Sequence, residues 1–152
     1  MKDGPGVPFP PPLVYIAGLL AGLGAHWAID PGEPPALVRI VCAVACVGAA
    51  LYFLSASLRR FRLAGTDPIP WRPDQALVTD GPYRLTRNPM YVGMALLFAG
   101  IAFGFGALIA LAILPLVILV IDRVVIAREE PYLERLFGEE YASYKQRVRR
   151  WL

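Results

Sequence analysis

"MYVGMALLFAGIAFGFGALIALAILPLVILVI", residues 90–121, contains no charged residue. As one helix it would be about 48 Å long at 1.5 Å per residue, whereas the hydrocarbon core of a bilayer is only about 30 Å thick. Two spans joined by a hairpin fit better. The turn belongs at "FGFG" (103–106), where Gly104 and Gly106 free the backbone. The predicted spans are 90–104 and 107–126, with Pro115 as a possible kink in the second.

Two more apolar stretches precede this hairpin. Residues 13–29 are apolar apart from His26, and 37–58 apart from Arg39, which is near enough to an end to snorkel. The chain has 152 residues, 57% of them hydrophobic and 18% charged, with a mean hydropathy of +0.51. That composition belongs to the membrane class. The expected fold is all-α: an integral-membrane bundle of about four helices and a single domain over 1–152, with a loop at 66–89 and an amphipathic tail at 127–152. Met1–Pro12 is proline-rich rather than basic and does not read as a cleavable signal peptide.

Charge sets the expected orientation. Segment 30–36 and the glycine-rich turn carry no lysine or arginine. Arg59, Arg60, Arg62, Arg72, Arg84 and Arg87 lie between the second and third spans, and a second basic group follows Ile121. The positive-inside rule puts both termini and the loop in the cytoplasm. Arginine far outnumbers lysine, which suggests a GC-rich bacterial genome and hence a bacterial inner membrane. A net charge of +3 arranged in this way suits a bilayer and not nucleic acid.

Cys42 and Cys46 are four apart on one helix face, lack zinc-site spacing and read as small packing residues. His26 is the sole histidine, so no metal cluster is expected.

The stretch just before the hairpin, "GPYRLTRNPMYVG" (81–93), is unusually polar for the approach to a span. Locally it reads as a helix start, with Pro89 in the first turn and Asn88 as its cap. In the tail, Leu133, Leu136, Phe137, Tyr141, Tyr144 and Val148 recur at helical spacing. Gly138 interrupts them, giving two short helices or one bent one. Such a tail fits a surface-lying anchor, but Glu129 and Glu130 gain nothing from anionic lipid. Asp122 and Arg123, at the inner end of the last span, are either functional or a structural ion pair.

"LVTDGPYRLTRNPMYVG" (77–93) followed by "EEPYLERLFGEEYASYKQRV" (129–148) resembles the isoprenylcysteine carboxyl methyltransferases and related phospholipid N-methyltransferases. Those families share an LVT-G-Y segment, an R-H-P-x-Y motif opening a membrane helix, and an E-E-x-x-L-x-x-x-F-G-x-x-Y-x-x-Y tail. The resemblance covers Gln75 to Val148, about half the chain.

It implies an integral-membrane enzyme that uses S-adenosylmethionine without a dinucleotide-type fold, and the chain has no strand–G-x-G-x-x-G–helix unit. By position, Gln75, Ala76, Leu77 and Val78 would wall the adenosine, followed by Tyr83. Asn88, Pro89, Met90 and Tyr91 would meet the cofactor at the helix start, and Glu129 would bind a polar or cationic part of it. The family histidine is Asn88 here, a residue that cannot titrate. Arg123 and Arg128 bracket the family's substrate-contacting arginine and are candidates for orienting a substrate.

The implied acceptor is a lipophilic small molecule or lipid-anchored group carrying a carboxylate, amine or thiol, with membrane lipids as neighbours. A non-catalytic scaffold or lipid-binding protein of the same fold is the alternative. A small transporter would need charges through the middle of its spans, and these spans have none.

Overall fold

The computed structural model describes residues 5–65 and 76–152, and every regular element among them is helical. Helix α1 spans Pro11–Ile29, α2 Ala36–Leu63, α3 Pro89–Gly104 and α4 Leu108–Val120. A π-helical stretch, Ile121–Ile126, carries α4 into α5 (Ala127–Phe137), and α6 runs Glu139–Arg147. Three of the helical runs are long and apolar enough to cross a membrane: Pro11–Ile29, Ala36–Leu63 and Leu108–Phe137. The fourth, α3, is shorter and apolar. The molecule is an integral-membrane helical bundle.

The hairpin turns where the glycines allow it. Gly106 has φ +67°, and its N–H donates to the Phe103 carbonyl. The other turn at this end is tied to it: Arg39 pairs with Glu33 and donates to the Gly104 carbonyl at 3.3 Å. Arg39 therefore finds protein partners instead of only snorkelling to water.

Packing pairs α1 with α4 and α2 with α3. The first contact depends on small residues. A Cβ on Gly22 would lie 2.5 Å from the Ala110 Cα, and one on Gly18 would lie 2.4 Å from a Val117 methyl. Glycines four apart allow two helices to approach closely in lipid, where association rests on dispersion rather than on water exclusion. The main core joins Tyr15, Leu23, Phe98, Ala102, Ala110, Val117 and Ile121 across α1, α3, α4 and the start of the π-helical stretch. Much of the outer face of α2, including Leu37, Val41, Val44 and Leu51, is exposed and suits hydrocarbon.

The tail folds back on the loop. Gly138, at φ +52°, separates α5 from α6 and turns the chain between them. Leu133, Phe137, Tyr141, Tyr144 and Val148 then pack with Val78, Tyr83, Phe61 and Leu77 in a second core, leaving Leu136 exposed. The periodicity expected of a surface anchor is thus used almost entirely against protein.

Candidate functional site

Beneath the bundle, the loop, the start of α3 and the tail enclose a cavity of about 300 Å³. Its size falls in the range of small-molecule sites. Of the positions singled out in the sequence, Ala76, Leu77, Val78, Tyr83, Asn88, Pro89, Met90, Tyr91 and Glu129 all border it. Gln75 lies outside the described residues. Neither Arg123 nor Arg128 borders the cavity. Arg123 is exposed beside Asp122, and Arg128 donates to the Val124 carbonyl one turn back.

The polar start of α3 is held by side chains that the helix itself does not require. Asn88 occupies the cap position but makes no side-chain cap bond. Its amide Nδ2 instead donates to the Arg150 carbonyl at 2.9 Å, and its backbone N–H donates to Thr86 Oγ1. This corrects the expectation of an ordinary Asn cap. The reason is tertiary: residues 149–151 lie alongside the loop, and the Arg150 carbonyl takes the side-chain amide as its donor. Thr86, fully buried, donates to the same Arg150 carbonyl at 2.8 Å. Buried non-helical backbone needs such partners.

Glu130 and Arg87 form the charged centre. Arg87 Nη2 donates to Glu130 at 2.6 Å, and its Nη1 donates to the carbonyls of Lys145 and Val148. Arg150 holds the same carboxylate bidentately, through Nε at 3.0 Å and Nη2 at 2.6 Å. Glu130 is 5% exposed, and a charge that buried persists only when paired. The hydrogen bonds from Arg150 to Glu130 push the guanidinium's pKa up, so it stays charged.

Glu129 has a different setting. It accepts the Tyr91 hydroxyl at 2.6 Å, and the Tyr91 carbonyl accepts the Tyr15 hydroxyl at 3.0 Å. On the tail side, the Tyr144 hydroxyl donates to the Tyr83 carbonyl at 2.7 Å. Burial pushes the phenols of Tyr141 and Tyr144 well above their usual range, so both stay neutral donors.

The donor set fits S-adenosylmethionine. Leu77, Val78, Met90 and Leu133 offer apolar wall for a purine and ribose. Glu129 offers a carboxylate suited to an ammonium. Arg87, whose buried Nε–H has no partner among the described residues, also borders the cavity. Sequence reading missed Phe61, Met94, Tyr132, Tyr141, Tyr144 and the Pro10–Pro12 segment as cavity wall. It placed Tyr141 and Tyr144 on the apolar face of the tail, and that face is the lining.

Comparison with known proteins agrees with this arrangement. The phospholipid methyltransferase family matches residues 38–140. An uncharacterised protein of Haemophilus influenzae is 46% identical over 63 residues, 41% of this chain and the whole of that protein. The protein-S-isoprenylcysteine O-methyltransferase of Schizosaccharomyces pombe is 35% identical over 75 residues, 49% of this chain. The chain spans only 32% of that relative's length. No solved structure matches. With a match that runs from early in α2 through the cavity-forming loop and into α6, the chain belongs to the phospholipid methyltransferase family.

Proposed function

We propose that the protein transfers a methyl group from S-adenosylmethionine to a lipophilic acceptor at the cytoplasmic face of a bacterial inner membrane. The observation that carries this reading is the cavity, where the loop, the start of α3 and the tail converge. Family membership supports the reaction class. The arginine distribution supports the cytoplasmic placement, and the Haemophilus relative supports the bacterial one.

When bound, the cofactor supplies an electrophilic methyl group on a sulfonium. The work left to the chain is positioning, since holding two reactants in attack geometry removes most of the entropic barrier. Glu129, oriented by the Tyr91 hydroxyl, would hold the ammonium end. Leu77, Val78, Tyr83, Met90 and Leu133 would hold the adenosine and exclude water. The start of α3, where first-turn N–H groups attract anions, would receive the carboxylate end. The acceptor, a carboxylate, amine or thiol on an apolar body, reaches the cavity from the lipid between helices.

The test is calorimetric titration of the detergent-purified protein with S-adenosylhomocysteine, followed by incubation with methyl-labelled cofactor and a membrane lipid extract. Saturable binding and label in the lipid fraction are expected. Binding without label transfer restricts the reading to the cofactor site. Absence of binding leaves the non-catalytic scaffold.

A further inference from the structure

Residues 148–151 make contacts that neither the fold nor the cavity wall explains by itself. Val148 leaves α6 in an extended conformation, φ −124° and ψ 133°. The chain then runs beside the loop: the Arg87 N–H donates to the Arg149 carbonyl at 2.9 Å, and Thr86 and Asn88 share the Arg150 carbonyl. The Arg150 side chain bridges two carboxylates from different parts of the last helical run. Its Nε and Nη2 hold Glu130, while Nη1 donates to Asp122 at 3.2 Å. Trp151 Nε1 donates to the same Asp122 oxygen at 2.9 Å, and its ring packs on the main core. Asp122 opens the π-helical stretch. Such stretches are rare inside helices and concentrate at functional sites.

We propose that Arg150 is a positioning residue of the cofactor cavity, acting through Glu130, Arg87 and Asn88 with Asp122 and Trp151 as its anchors. The proposal rests on the methyltransferase reading of that cavity. Asp122, Arg150 and Trp151 do not border the cavity, whereas Glu130, Arg87 and Asn88 do. The planar guanidinium fork meets one carboxylate bidentately and a second with its remaining nitrogen, a geometry lysine does not reproduce. Asp122 thereby sets the angle of Arg150, which sets Glu130, which sets Arg87. The backbone arm of the same strap fixes Asn88.

A clamp that only held the tail in place would change stability and leave affinity alone. The full chain, purified in detergent, is therefore titrated with S-adenosylhomocysteine in parallel with thermal unfolding. Arg150→Lys, which keeps the charge and loses the fork, is expected to weaken binding five- to tenfold. Arg147→Ala, which removes an exposed charge nearby, should leave affinity unchanged. Asp122→Asn is expected to weaken binding three- to tenfold in the parent and to add nothing in an Arg150→Ala background. Unchanged affinity in both Arg150→Lys and Asp122→Asn, or fully additive losses, would overturn the proposal even if the melting temperature falls.

Hydrogen exchange at the Arg87 amide gives a reading independent of the ligand. Arg150→Ala should accelerate exchange there at least tenfold. If the parent fails to bind S-adenosylhomocysteine, the methyltransferase reading fails, and this exchange decides for the strap: acceleration upholds its hold on the loop, and unchanged exchange removes it.

Discussion

Glu129 and Glu130 are adjacent in the chain and opposite in their bonding. Glu130 is consumed by two guanidinium groups, and Glu129 takes a tyrosine hydroxyl at the cavity wall. Their substitutions should therefore differ in what they do to stability. Glu129→Gln is expected to weaken S-adenosylhomocysteine binding by about 1.5–3 kcal/mol, the range of a charge-assisted hydrogen bond, with the melting temperature nearly unchanged. Glu130→Gln leaves Arg87, itself largely buried, without its counter-charge. Removing one partner of such a pair costs about 3–5 kcal/mol, read as a fall in unfolding free energy with or without ligand. Asn88 carries a related lesson. As an ordinary cap, Asn88→Asp would be neutral, since both residues cap well. With its Nδ2 on the Arg150 carbonyl, the aspartate instead sets oxygen against oxygen and is expected to lose stability, whereas Asn88→His keeps an N–H donor. Thermal unfolding of the two variants in the same detergent makes the comparison.

At the scale of elements, two glycines decide how helices meet. Gly22 sits where α1 crosses α4, with no room for a Cβ against the Ala110 backbone. Gly22→Val should destabilise the bundle by about 1–3 kcal/mol, the usual penalty of overpacking, and should lower the thermal midpoint without altering helix content by circular dichroism. Gly138 has open space around it, so its constraint is conformational and not steric. Its φ of +52° and ψ of −126° lie where a side chain is strained. Gly138→Ala is expected to cost about 1–3 kcal/mol, and to loosen α6 from the loop. Faster proteolysis within 139–152 while the spans remain intact is the expected signature. If proteolysis is unchanged, the bend does not hold the tail under the bundle.

For the whole molecule, the cavity gathers the segment before α1, the loop and the tail at one end, while Glu33, Arg39 and Gly104 close the other. Single cysteines at Asp30 or Gly104, in a chain with Cys42 and Cys46 replaced by alanine, should react with an impermeant thiol reagent from the periplasmic side. Labelling of either one from the cytoplasm would invert the proposed topology.

The sequence by itself determined the apolar helices, the hairpin turn and the break at Gly138. Each of these is a local property. Apolar length must match bilayer thickness, glycine supplies φ values that other residues avoid, and helical spacing puts Leu133, Phe137, Tyr141 and Tyr144 on one face. Tertiary structure alone decided which surface that face would cover, and what each polar group would bond. Nothing local distinguishes a lipid headgroup from Val78 and Tyr83 as the partner of an amphipathic helix. Asn88 gave its side-chain amide to the Arg150 carbonyl, and Glu130 gained its second arginine, because residues 149–151 return to a loop that lies more than sixty positions earlier. A hydrogen bond between groups so distant in sequence leaves no periodicity or spacing to read, and only the packed chain shows it.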